Sequence, residues 1–229
     1  MNKQSIVRVV IPALNEEEAV GNVIATIPKY CVDEIIVVDN NSKDATGLVA
    51  KKAGATVLSQ PLPGYGNACL KGLDYVFTTD TDVVVFLDAD HADDPSQLPL
   101  LLDKINEGYD LVIGSRALGS REKGSMTTPQ VFGNWLATTL LNTFWGSQFT
   151  DLGPFRAITT KALLQIKMED KNFGWTVEMQ LKAAKLKLKS TEIPMNYRRR
   201  SHGVSKVSGS IKGSIKAGYI ILYTIFRYL

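Results

Sequence analysis

Two carboxylates one residue apart, Asp88 and Asp90, close the apolar run Val83-Val84-Val85-Phe86-Leu87. Hard oxygen donors at this spacing suit Mg²⁺ or Mn²⁺ holding a diphosphate. The run before them is β-branched and aromatic, as in a strand covered on both faces. In open α/β sheets ligands bind outside the carboxyl ends of such strands. A plainer task competes: Asp88 and Asp90 would open a loop and cap the helix that follows Pro95. His91 has two readings as well, a member of the metal shell or an ordinary solvent-facing loop histidine.

The other apolar runs end in polar residues that one crevice could collect. The first ends in Pro12, Asn15 and Glu16, the second in Asp39-Asn40-Asn41-Ser42, and a later one in Gly114-Ser115-Arg116. An acidic group accepts hydrogen bonds from a base or ribose, while a metal and an arginine neutralise phosphate. Ser42 as a helix cap and Asn15 as a turn former are the bland alternatives. Two further carboxylates, Asp151 and Glu178, stand apart in the second half. Glu178 suits a general base, or an i,i+4 partner of Lys182. The densest cationic stretch runs from Tyr197 through Arg198, Arg199, Arg200 and His202 to Lys206. Guanidinium groups on a Gly- and Ser-containing loop can close over phosphates. Nucleic-acid binding is not supported, because the stretch lacks interleaved aromatics for stacking bases. Gly64-Tyr65-Gly66 is no dinucleotide fingerprint, since the next glycine falls at Gly72.

Alternating elements must position these groups. Ile6 to Ala13, Glu34 to Asp39, Ala55 to Leu58, Val83 to Asp88 and Leu111 to Ser115 read as strands. Glu16 to Ile27, Asp44 to Lys52, Tyr65 to Phe77 and Ser96 to Asn106 read as helices. This order predicts a parallel sheet with crossover helices. The second half predicts a helix over 131–145, a break at Gly153-Pro154, a helix over 177–185 and a strand over 189–196. Ser210 to Leu229 reads as one helix, uncharged from Ala217 to Phe226, which suits a helix lying in a membrane interface, docked on the body or buried in a dimer. The expected organisation is a body over 1–209 and this terminal helix over 210–229.

Composition is that of an ordinary globular protein: 229 residues, 45% hydrophobic and 21% charged. The net charge of +3 is mild, but basic residues crowd the stretch from Lys182 to Lys216, pointing to anionic partners there. Cys31 and Cys69 form no CxxC pair, and no cleavable leader follows Met1, so a reducing cytoplasmic setting is expected. No apolar stretch reaches the ~18 residues that cross a bilayer.

Eight segments together resemble the family 2 nucleotide-sugar glycosyltransferases of GT-A fold: IPALNEE, IIVVDNNSKDAT, GYGNACLKG, VVFLDADHADDP, DLVIGSR, TDLGPFRAI, GWTVEMQLKA and YRRRSHGVSK. They span nearly the whole chain in family order. The branch with dolichyl- and polyprenyl-phosphate sugar synthases is the most similar. The resemblance implies a Rossmann-like, mainly parallel sheet flanked by helices, with a C-terminal amphipathic helix. It also implies a nucleotide along Pro12, Asn15 and Glu16, its base or ribose at Asp39, and a diphosphate between Asp88 and Asp90. Asp90 would be the direct metal ligand, and Mg²⁺ or Mn²⁺ the Lewis acid for the leaving nucleoside diphosphate. Arg116 and Lys206 join the donor contacts, and Asp90, Glu178, Arg199 and Arg200 the catalytic set. Asn40 departs from the pattern, since many members carry a second Asp after the first.

The expected activity is metal-dependent, inverting transfer from a UDP- or GDP-linked sugar to a polyprenyl phosphate at the cytoplasmic membrane face. A lipid phosphate is already anionic at neutral pH, with a second pKa near ~6 for monoesters, so basic residues matter more there than a base. A hydroxyl acceptor would instead require Glu178 as base. A nucleotidyltransferase is disfavoured, because Pro12-Ala13-Leu14-Asn15-Glu16 replaces its Gly-rich loop. A non-catalytic nucleotide-sugar sensor is disfavoured by the intact Asp88 and Asp90.

Overall fold

A computed structural model describes residues 5–200 and 211–229. Seven strands form one sheet: β1 (Val7–Ala13), β2 (Glu34–Asp39), β3 (Thr56–Ser59), β4 (Val83–Phe86), β5 (Leu111–Ser115), β6 (Arg156–Thr159) and β7 (Ser190–Pro194). Their spatial order is β3-β2-β1-β4-β6-β5-β7. β1, β2, β3 and β4 run parallel, and β6 enters antiparallel between β4 and β5, leaving β5 parallel to β7. The parallel sheet read from the sequence is therefore a mixed, mostly parallel one. β6 escapes a hydropathy reading because it has four residues and begins with a fully buried arginine.

The sheet separates two apolar layers, as strand periodicity requires. Val10, Ile36, Val38, Val84 and Phe86 face α3 (Tyr65–Val76), α5 (Thr128–Trp145), α6 (Thr160–Ile166), α7 (Trp175–Lys185) and α8 (Ile211–Arg227). Val9, Ile11, Ile35, Val37 and Val85 face α1 (Val20–Thr26), α2 (Thr46–Lys52) and α4 (Leu98–Asn106). The close seat of α3 depends on Gly72, where a Cβ would collide with Val10. α8 docks on α5 and α7, burying Ala217 and Ile225. Among the described residues no helix is long and apolar enough to cross a membrane.

In-register pairing brings the strand ends together. Ala13 of β1 lies beside Asp39 of β2, and Phe86 of β4 beside Val10. The loops after β1, β2, β4 and β5 therefore open on one edge of the sheet, and the chain leaving β7 crosses the same edge. There Tyr197 makes isolated bridges to Asp93 and Arg121.

Candidate active site

Asp88 and Asp90 sit just beyond β4, and the capping task falls to another residue. Asp94 Oδ1 accepts from the Ser96 amide at 3.2 Å and the Ser96 hydroxyl at 2.7 Å, which opens the turn before α4. Tyr65 Oη donates to Asp88 Oδ1 at 3.0 Å. Burial first and the neighbouring Asp90 second push the Asp88 carboxyl up to about 7. Burial, followed by Asp88, also raises the Tyr65 phenol, so it serves as donor. Asp90 is 4% exposed and accepts from the Ala92 amide at 2.9 Å. Its other oxygen lies 2.8 Å from Arg200, whose guanidinium also reaches Glu16 at 3.1 Å. Burial disfavours the Arg200 charge, but Asp90 and then Glu16 outweigh it, so its pKa is raised.

The three consecutive arginines diverge. Arg198 pairs with Asp94 at 2.7 Å, while Arg199 Nε donates to the Lys123 carbonyl at 2.7 Å. Arg200 alone of the three joins the Asp90 cluster. Arg116 lies over the Tyr197 ring at 5.1 Å and is held bidentately by Asp151 at 2.8 and 2.7 Å. Asp151 is set in turn by Glu192, which accepts from the Asp151 amide at 3.1 Å, and by Gln180, which donates to its carbonyl at 2.9 Å. Lys206 lies outside the described residues.

The β1 and β2 loops are laced together. Asn15 adopts φ 53°, its amide donates to Ser42 Oγ at 3.0 Å, and its Oδ1 accepts from the Lys43 amide at 2.7 Å. Glu16 N donates to Thr46 Oγ1 at 2.8 Å, and Pro12 lies buried in β1. Asp39 Oδ1 accepts from the Ser42 amide at 2.9 Å. The Asn40 departure has a structural reason. Its Nδ2 donates to the Gln60 and Leu62 carbonyls at 3.0 and 2.7 Å, and its Oδ1 accepts from the Gly64 amide at 2.9 Å. A carboxylate cannot donate. The amides of Gly66 and Asn67 are taken by the Asn172 and Lys171 carbonyls at 3.2 and 3.0 Å, so Gly64-Tyr65-Gly66 serves a chain contact.

Glu178 is not brought into this cluster. It is 1% exposed and accepts from the Asp170 amide at 2.8 Å, the Glu169 amide at 3.1 Å and the Tyr228 hydroxyl at 3.1 Å. Lys182 completes the set at 2.7 Å, so the i,i+4 pair forms but is buried. Glu178 thus ties α7 to the preceding turn and to the end of α8.

Three further groups belong to this region without standing out in the sequence. Tyr65 and Arg156 gave no local signal. Arg156 is fully buried, donating to the carbonyls of Gly153 and Thr176, and burial lowers its pKa to about 10. Asp93 stands within the acidic motif, and among the described residues neither of its buried oxygens has a hydrogen-bond partner. His91, at φ 60°, is half-buried, with Nε2 also buried and unpartnered.

The arrangement can hold one hard cation. Asp88 and Asp90 are two mutually repelling carboxylates at a strand end, and among the described residues no third His, Cys, Asp or Glu joins them to complete a protein cage. Such a site suits Mg²⁺ or Mn²⁺, which keep waters and substrate phosphates as remaining ligands.

A mixed α/β sheet whose strand ends gather acidic groups, a bridging arginine and a capped loop presents them at the edge where open α/β sheets bind ligands. The comparisons specify the class: the model of glycosyl transferase family 2 matches residues 8–166, and the chain belongs to that family and is a glycosyltransferase. An uncharacterized glycosyltransferase of Mycobacterium tuberculosis is 38% identical over 92% of this chain and 94% of its own. The undecaprenyl-phosphate mannosyltransferase of Micrococcus luteus is 30% identical over 89% of this chain and 88% of its own. Glucosyl-3-phosphoglycerate synthase from M. tuberculosis superposes with TM-score 0.77 at 25% identity, covering 98% of this chain and 80% of that one. A further crystal structure of that enzyme is in complex with Mn²⁺, UDP and glucosyl-3-phosphoglycerate.

Proposed function

We propose that this glycosyltransferase moves a hexose from a UDP- or GDP-linked donor to a polyprenyl phosphate, with inversion and with Mg²⁺ or Mn²⁺. The observation that carries the reading is the Asp88/Asp90 pair bridged through Arg200 to Glu16, an anion-and-cation arrangement matched to a metal-bound diphosphate. In this reading Asp39 receives the base or ribose, while Pro12, Asn15 and Glu16 line the nucleotide. Asp88 and Asp90 hold the cation, which when bound supplies Lewis-acid stabilisation of the leaving diphosphate. Arg200 turns from Asp90 to the phosphate charge that replaces it, and Lys206 is assigned to the same clamp. Arg116, committed to Asp151, orders the wall beside them.

The lipid-phosphate acceptor draws support from the relative in M. luteus and from the buried, fully engaged state of Glu178, which leaves the crevice without that base. Peripheral membrane attachment draws support from exposed aromatics: Phe132 and Trp135 on α5, and Tyr219, Tyr223 and Phe226 on the adjoining α8. The test is a panel of nucleotide-hexoses assayed for release of nucleoside diphosphate, with and without polyprenyl phosphate and Mn²⁺. Release that requires both additions is expected. Turnover on a hydroxyl acceptor with no response to polyprenyl phosphate would overturn the acceptor assignment.

A further inference from the structure

Asp93 is the one buried carboxylate with both oxygens unpartnered among the described residues. It is 2% exposed, and neither Oδ1 nor Oδ2 receives a hydrogen bond. The cation that acts on it, Arg116, is already held bidentately by Asp151. The backbone offers no freedom to turn away, because Asp93 bridges Tyr197 and the Arg198 amide donates to the Ala92 carbonyl at 2.8 Å. Leaving a buried acceptor unsatisfied costs on the order of 1–3 kcal/mol. Such a group in a functional crevice marks a place where a ligand supplies the donors.

The chemistry of that ligand follows by elimination. A phosphate brings acceptors and negative charge beside Asp88, Asp90 and Asp151, all of which already act on Asp93. Asp93 forms no group of three metal-ligating side chains with Asp88 and Asp90 among the described residues, so it is not a third ligand to the cation placed at that pair. A neutral group with adjacent hydroxyls satisfies both oxygens without adding charge. The strand order places it as well: Asp39 ends β2, Asp88 and Asp90 follow β4, and Arg116 with Asp93 lies on the far side toward β5 and β7. A donor with its base at Asp39 and its diphosphate at Asp88 and Asp90 carries its sugar toward Asp93. Burial, against the pull of Arg116, raises the carboxyl well above its usual range.

We infer that Asp93 is a specificity-determining residue that accepts hydrogen bonds from hydroxyls of the donor's sugar ring. This rests on the nucleotide-sugar reading above. The test measures calorimetric binding of UDP or GDP with Mn²⁺, and of the matching nucleotide-hexoses and their deoxy analogues, to the wild-type protein and to Asp93→Asn. The variant is expected to bind nucleoside diphosphate within threefold of wild type but to lose tenfold or more for the hexose donor. Wild type should lose a similar factor on the analogue lacking the recognised hydroxyl, to which the variant is indifferent, because a site built to receive a hydroxyl rejects its absence. A parallel loss of diphosphate binding would assign Asp93 to the diphosphate instead. Unchanged hexose binding would show that solvent satisfies the carboxyl; either result overturns the inference. If Asp93→Asn does not fold, the wild-type deoxy series decides, and indifference to every hydroxyl sinks the idea. Failure of wild type to bind any nucleoside diphosphate with Mn²⁺ would instead refute the underlying donor assignment.

Discussion

Arg200 and Asp90 form an ion pair at 2.8 Å although 110 positions separate them in sequence, and the same guanidinium spans to Glu16 at 3.1 Å. The pair joins the chain leaving β7 to the loop after β4. It neutralises the carboxylate that the cation would claim, so donor binding has to exchange one positive charge for another.

That exchange separates Arg200 from its neighbour. Arg200→Ala is expected to lower kcat by ~10²-fold or more, the range seen when a charge-stabilising donor is lost. Arg199→Ala, whose side chain is tied to the Lys123 carbonyl, should stay within about threefold. Steady-state kinetics on both variants checks this, and equal losses would contradict the divergence of the two side chains.

Asp90→Ala is expected to abolish transfer and Mn²⁺-dependent donor binding while the fold persists. Among the described residues the carboxylate receives the Ala92 amide and Arg200, both near the crevice. Circular dichroism with calorimetric titration of Mn²⁺ and UDP or GDP would reveal it. Turnover near wild type with unaltered metal dependence would remove Asp90 from the site.

Glu178→Gln should act on stability before chemistry. It exchanges a carboxylate that receives two backbone amides, Tyr228 and Lys182 for a group that must also donate. A loss of about 1–3 kcal/mol is expected in denaturant unfolding, with kcat within tenfold. A ~10²-fold fall in kcat at intact stability is the signature of a general base. It would favour a hydroxyl acceptor over the lipid phosphate.

Asp88 makes the metal-free protein sensitive to pH. Its folded pKa, raised to about 7 by burial and Asp90, exceeds the unfolded value of about 4. Its contribution to stability is therefore full below about pH 4 and lost as pH rises through about 7. The raised carboxyl of Asp93 acts in the same direction. Tm of the metal-free protein should fall between pH 5 and 8, and Asp88→Asn should flatten that slope. A Tm that rises over this window would contradict the assignment.

Asn40→Asp tests the departure from the family pattern. The exchange sets a carboxylate against the Gln60 and Leu62 carbonyls, which now receive the Asn40 amide at 3.0 and 2.7 Å. A loss of about 1–3 kcal/mol is expected, with donor KM rising as the 60–64 loop loosens. Thermal melts and donor titrations report the two effects separately.

Local pattern determined most of the elements and the acidic motif. β2 and β5 match their expected limits of Glu34 to Asp39 and Leu111 to Ser115, because apolar runs bounded by polar turns carry their own length. α5 begins earlier than its apolar periodicity indicates, at Thr128, because Thr127 and Gln130 form a capping box. The carboxylates at the end of β4 were legible for the same local reason. The partners of each charge were not. Three adjacent arginines reach Asp94, Lys123 and Asp90, Glu178 turns to Tyr228, and Asp93 is left without a donor. The antiparallel entry of β6 belongs with them, since its register against β4 pairs Phe86 with Arg156 and Val83 with Thr159, far apart in the chain. Hydropathy and capping act over one or two turns of chain, whereas ion pairing, burial and strand neighbours are decided by which distant segments the folded sheet sets side by side.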